Sequence, residues 1–216
     1  MTRHGYRKVS DLPDAMAVFP LAGAVLFPRW SLPLNIFEPR YLNMIDDAMA
    51  GNRVIGMIQT TGGSKQAPHL ARVGCAGRVT SYSETEDGRY LINLTGICRF
   101  ALDEELDVAT PYRQVQPDWN GFADDLEEPE THGLPERNHL ADALKKYVAH
   151  NQMEVDWDAL ETAPMETLVN ALSAGCPFSS MEKQALLEAP DLRARCDTLI
   201  ALLDMDISGD DSSTLQ

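Results

Sequence analysis

Residues 17–41 read AVFPLAGAVLFPRWSLPLNIFEPRY, two proline-punctuated apolar runs that feed into the start of a helix. Val, Leu, Ile and Phe alternate with Gly and Pro turn signals, which predicts short strands over 18–21, 25–27 and 32–37. Pro20, Pro28 and Pro33 restrict these strands to sheet edges or irregular barrel corners, because proline has no N–H to give to a ladder. Pro39 suits the first turn of a helix, whose apolar face carries Tyr41, Leu42, Ile45 and Met49 before Gly51 ends it. Glu38 stands at the positive end of that helix, where a carboxylate is favoured by about 0.3–1 kcal/mol, with Arg40 tying the end to the sheet. Trp30, in the turn 28–31, is either a lid on the barrel or an exposed anchor.

Working outward, Val54-Ile55-Gly56-Met57-Ile58 reads as a buried strand, followed by a flexible loop over 61–64. Segments 72–83 and 89–100 form a hairpin around Glu86-Asp87-Gly88, where the Asp-Gly pair supplies a tight turn, and a last strand is expected near 112–115. From 118 to 130 the composition changes. Asp124, Asp125, Glu127, Glu128 and Glu130 accumulate without Lys or Arg, and this run is expected to be a solvated hinge. Beyond it the apolar period changes from two to about 3.6. Leu140, Leu144, Tyr147 and Val148 share one helical face, Met165, Leu168, Val169 and Leu172 a second, and Leu192, Cys196, Leu199 and Leu203 a third. Ser179 and Glu182 have the spacing of a capping box. The expected organisation is an N-terminal arm (1–14), a β-barrel (15–118), an acidic linker (119–133), a helical subdomain (134–205) and an acidic flexible tail (206–216).

Bulk properties narrow the function classes. With 44% hydrophobic residues, 216 positions suffice to bury a real core, so disorder is not expected. A formal charge of -15 opposes general attraction to nucleic acid or anionic lipid, since such binders cluster Lys and Arg against phosphate. Cys75, Cys98, Cys176 and Cys196 lack a C-x-x-C spacing and read as buried reduced thiols. Arg3, Arg7 and Lys8 precede the apolar residues 15–19 as in a secretory leader, but Pro20 and Pro28 interrupt the run, and no stretch approaches the roughly 20 residues a membrane span needs. The expected location is the cytoplasm.

The chemical motifs are weak. Ser180-Met181-Glu182-Lys183 fits S-x-x-K, but the accompanying K-T-G and S-D-N signatures are absent, and the Ser179 cap explains the local sequence. Gly62-Gly63-Ser64-Lys65 lacks Walker A order and reads as a loop. His132 and His139 lie near carboxylates, yet a solvated acidic run explains that neighbourhood better than a zinc site. Glu84, Glu86 and Asp87 are explained by solubility and turn geometry. No catalytic residue, metal or cofactor is expected.

The opening run resembles the start of the Lon protease N-terminal domain, F-P-L-x-x-x-V-L-F-P-x-x-x-L-P-L-x-I-F-E-P-R-Y. Further matches follow in order at Val73-Gly74-Cys75-Ala76-Gly77, at residues 87–96 (DGRYLINLTG), and at Arg99-Phe100. The resemblance covers the first half of the chain closely and the helical part more loosely. It implies an α+β fold: a small PUA-like β-barrel (a pseudobarrel) with a crossing helix, then a C-terminal helical bundle. In full Lon proteases this domain precedes an ATPase and a Ser-Lys peptidase, for which no matching positions exist here. The implied function is a non-enzymatic module that binds unfolded polypeptide or a protein partner, as an adaptor or regulator in protein quality control. Its expected groove lies between barrel and helices, with Trp30, Phe37, Tyr41 and Met57 as partner-binding residues. The alternative is an RNA-binding PUA-like module using a patch of Arg72, Arg78, Arg89 and Arg99. A cryptic hydrolase is a third class, lacking a recognisable nucleophile–base pair.

Overall fold

The computed structural model describes residues 5–64 and 67–211. The chain forms two compact units, Met1–Glu128 and Pro129–Gln216. The fold class is α+β, with every sheet strand in the first unit and a helical bundle as the second.

The first unit contains β1 (Met16–Pro20), β2 (Ser31–Ile36), α1 (Pro39–Ala50), β3 (Val54–Gly63), β4 (Pro68–Glu84), β5 (Tyr90–Leu106) and β6 (Gln114–Asp118). The strand order is β2-β5-β4-β3-β1-β6, and β6 also pairs with β5, which closes five strands into a barrel and leaves β2 outside the ring. Two 17-residue strands make this possible. The last part of β5 pairs with β6 from Ala101 to Leu106, whereas its first part, Tyr90 to Thr95, pairs with β2. The far halves of β4 and β5, with β2, therefore extend from the barrel as a three-stranded ribbon.

The core follows the alternation. Val18, Ile58, Phe100, Val115 and Leu126 are buried in one cluster, and the Phe100 and Trp119 rings meet edge-on at 5.8 Å. Burial of each such large side chain contributes about 1.5–3 kcal/mol. Residues 25–27, expected as a strand, are instead buried irregular chain packed against β4 and β5. They need gaps in the wall, and glycines provide them: a Cβ on Gly77 would lie 2.6 Å from Leu26 Cδ2, and one on Gly96 would overlap the Phe27 carbonyl. The intruding chain is pinned by Arg29 N donating to Gly96 O at 2.9 Å and Gly96 N donating to Trp30 O at 2.8 Å.

The acidic run departs from expectation in an informative way. Asn120–Leu126 forms a 3-10 helix, and Asp125 turns inward to an ion pair with Arg99 at 2.8 Å, both side chains under 10% exposed. Asp125 Oδ2 also accepts from Arg99 N at 2.9 Å, and the Arg99 guanidinium lies 4.8 Å from the Phe122 ring centre. Arg29 Nη1 donates to the backbone carbonyl of Asp125. Residues 120–126 are thus part of the barrel unit and not solvated hinge, while the division between the two units, at Glu128/Pro129, falls within the expected linker. Asp125 had a partner 26 residues away that composition does not reveal.

The second unit packs α2 (Arg137–His150), α3 (Trp157–Thr162), α4 (Met165–Gly175), α5 (Ser180–Glu188) and α6 (Leu192–Asp211). Leu140, Leu144, Tyr147, Leu168, Val169, Leu199 and Leu203 are buried, on the faces the 3.6 period picks out. Arg195 is buried among them, donating to Leu186 O and Asn170 Oδ1 at 3.0 Å each. The Ser179 cap is made: Glu182 N donates to Ser179 Oγ at 3.3 Å, and Ser179 N to Glu182 Oε2 at 2.7 Å. Helix α6 continues to Asp211, past the expected start of the tail at 206. Residues 212–216 of that tail, and residues 1–4 of the arm, lie outside the described residues.

Candidate functional site

The four residues expected to bind a partner do not share a surface. Met57, on β3, is 2% exposed, and Tyr41, on α1, is 7% exposed with its ring edge-on to Phe19 at 4.5 Å. Both are core side chains, so a surface role for them is corrected. The continuous apolar run 54–58 around Met57 and the helical period that places Tyr41 on an apolar face already pointed inward. Trp30 is half-buried, and its backbone N–H donates to Phe27 O at 3.1 Å. Phe37 differs: it follows β2 directly and is 62% exposed.

Phe37 leads to the ribbon. Pro33, Asn35 and, one residue past the strand, Phe37 alternate onto one face of β2. Opposite them stand Asn93 and Leu91 of β5, then Ser81 and Ser83 of β4, in the register Pro33–Asn93–Ser81 and Asn35–Leu91–Ser83. This face is a shallow groove lined by those six paired residues together with Leu34 and Ile92, with Leu91 46% exposed in it and Phe37 beyond its end. The opposite face is anchored, with Ile92, Leu94 and Ile36 buried and the Tyr82 and Tyr90 rings edge-on at 4.9 Å. Hydrogen bonds with Tyr82 and then with Asp46 of α1 hold the Tyr90 phenol above its ordinary pKa. The ribbon is thus fixed on one face and open on the other.

Its β2 margin is open as well. Among the described residues β5 is the sole sheet neighbour of β2. The bond from Gly96 N to Trp30 O sets the phase, because antiparallel pairs alternate between bonded and non-bonded. The bonded partners of β5 are then Leu32, Leu34 and Ile36, and the backbone groups of Ser31, Pro33 and Asn35 face outward. Pro33, which cannot donate, falls on an outward position, as an edge proline must. What remains is a short edge with N–H groups at Ser31 and Asn35, three outward carbonyls, and two exposed apolar side chains beside them. Leu91 was missed from sequence, although a signal existed: it is the lone large apolar residue in the outward series Leu91, Asn93, Thr95.

The other candidates resolve individually. Arg99 is buried against Asp125, which removes it from the expected basic patch. Burial alone would lower its pKa, but the hydrogen bond and charge of Asp125 raise it. Arg89 pairs with Asp87 at 2.8 Å, Arg78 donates to Asn52 O at 3.0 Å, and Arg72 is exposed. Lys183 Nζ donates to Ala174 O at 3.0 Å, closing the end of α4. His132 and His139 are exposed, and among the described residues no three His, Cys, Asp or Glu side chains are grouped to hold a metal. Lys65 lies outside the described residues. All four cysteines are free and buried, and burial pushes the Cys176 and Cys196 thiols up to about 11. Among the described residues no helix is long and apolar enough to cross a membrane.

The chain belongs to the family of the ATP-dependent protease La (LON) substrate-binding domain, whose model matches residues 15–205. It is 26% identical to Lon protease 2 of Myxococcus xanthus over 214 residues, covering 94% of this chain and 25% of that protein. The Lon protease of Desulfosudis oleivorans is 24% identical over 195 residues, covering 85% of this chain and 23% of that protein. The chain thus spans about a quarter of the length of these curated relatives. Among solved structures, the N-terminal domain of Mycobacterium avium complex Lon protease superposes with a TM-score of 0.62 at 16% identity, covering 88% of this chain and 98% of that one. A Lon N-terminal domain protein from Xanthomonas campestris gives 0.59 at 20% identity, covering 87% and 97%. These likenesses establish the shared fold.

Proposed function

We propose that this chain recognises polypeptide, taking an extended, partly apolar segment of a client protein along β2, and serves as a non-enzymatic adaptor or regulator in cytoplasmic protein quality control. The observation that carries the reading is the free β2 edge, flanked on one face by the exposed Phe37 and Leu91. An added strand would find main-chain partners at Ser31, Pro33 and Asn35 and place alternate side chains beside Pro33, Asn35 and Phe37, with Leu91 one strand further in, within reach of long side chains only. Main-chain pairing tolerates many sequences, as a quality-control module requires, while the apolar pair selects segments that folded proteins keep inside. Pro33 and the shortness of the edge limit its self-association.

The test is a fluorescence-anisotropy titration of the full chain with a labelled twelve-residue peptide alternating Val or Phe with Ser or Thr. Phe37→Asp and Leu91→Asp are each expected to weaken binding by about 1–3 kcal/mol, roughly 5- to 150-fold in Kd. Asn35→Pro, which deletes an outward N–H, is expected to act in the same direction. Affinity unchanged in all three variants would contradict the ribbon as the site. The RNA reading predicts instead a steep loss of affinity with salt and dependence on Arg72 or Arg78. The pairing of Arg89 and the burial of Arg99 leave that reading with little cationic surface.

A further inference from the structure

We infer that the helical unit carries a second polypeptide site, a groove between the end of α2 and α3 that takes a short basic segment bearing one large apolar anchor. The floor consists of Val148 and Ala149 from α2, Met153 from the connection and Trp157 from α3, with Lys145 and Glu161 at the rim. Its walls are built. Helix α2 ends with Asn151 N donating to Tyr147 O and Met153 N donating to Val148 O, both at 3.0 Å, and Gln152 adopts φ 53°. That termination turns the chain back, and Met153 and Val148 both line the groove. At the other end of α3, the Arg137 guanidinium donates to the carbonyls of Leu160, at 2.6 Å, and Ala163. The groove is therefore held at both ends. Met153 is 39% exposed.

Charge selects the occupant. Residues 129–216 hold sixteen Asp and Glu against six Lys and Arg. Glu161 lines the groove, and Glu154, Asp156 and Asp158, exposed and next in sequence to the lining residues Met153 and Trp157, add acid beside it with no Lys or Arg between them, while Lys145 at the rim lies 3.7 Å from Asp142. This field repels nucleic acid and anionic membrane, and a second copy of the chain would bring the same acidic rim against itself. A basic segment with an aromatic or large aliphatic side chain satisfies both the apolar floor and the rim. The site uses no residue of the β2 ribbon and stands or falls separately from it.

The test uses the full chain and two labelled ten-residue peptides, each with one central Phe, flanked by Lys in one and by Glu in the other. The Lys peptide is expected to bind at least about tenfold more tightly than the Glu peptide, with the preference shrinking as salt rises. Glu154→Lys combined with Asp158→Lys is expected to abolish the preference, and Trp157→Ala to weaken the Lys peptide about tenfold or more. Phe37→Asp is expected to leave it unchanged. If Trp157→Ala disturbs folding, as circular dichroism would reveal, the exposed double variant still decides. Equal affinity for the two peptides, or a preference that survives the charge reversal, would overturn the site.

Discussion

Two acidic runs, at 124–130 and at 154–161, look alike in composition and behave in opposite ways. In the first, Asp125 is drawn inside by Arg99 and the chain around it becomes a 3-10 helix of the barrel unit. In the second, Glu154, Asp158 and Glu161 stay exposed beside an apolar groove. The difference lies outside both runs. β5 offers the first a buried cation, and a buried cation must be paired.

The largest expected effect breaks that pair. Asp125→Ala leaves Arg99 buried without its carboxylate and should cost about 3–5 kcal/mol in chemical denaturation of the barrel unit. Glu154→Gln with Asp158→Asn should change stability by less than about 0.5 kcal/mol. Equal effects from the two changes would erase the contrast. A third use of acid, local and exposed, lies between them: Ser179→Ala removes the partner of Glu182 N and should cost about 1 kcal/mol, whereas Ser180→Ala should stay within about 0.5 kcal/mol. Smallest is a gain. Gln152 holds a left-handed conformation at the turn beside the second run. Gln152→Gly should stabilise the helical unit by about 0.5–1 kcal/mol, read as a rise in the thermal midpoint, and a loss would show that its side chain is needed there.

Much of this architecture was legible in the sequence where the rules are local. The continuous apolar run of β3, the hairpin of β4 and β5 about its Asp-Gly turn, Pro39 opening α1 with Gly51 closing it, and the Ser179 box each depend on neighbours within one turn or one strand. What escaped depends on distant chain. Residues 25–27 have strand composition but no ladder partner, because Gly77 and Gly96 open the wall for them to enter. The candidate site was legible in part. Phe37 is visible as an apolar residue directly before Glu38-Pro39, whereas Tyr41 and Met57 share its character but point inward, and the role of Leu91 emerges only once β2 is placed beside β5.

Amide hydrogen exchange of β2, with and without a saturating alternating Val/Ser peptide, tests polypeptide recognition by the ribbon most directly. Ser31 and Asn35, whose N–H groups face outward, should gain protection of at least about fivefold on binding, while Leu32 and Leu34, already bonded to β5, should change little. Peptide binding that leaves Ser31 and Asn35 exchanging as in the free chain would contradict strand addition at this edge.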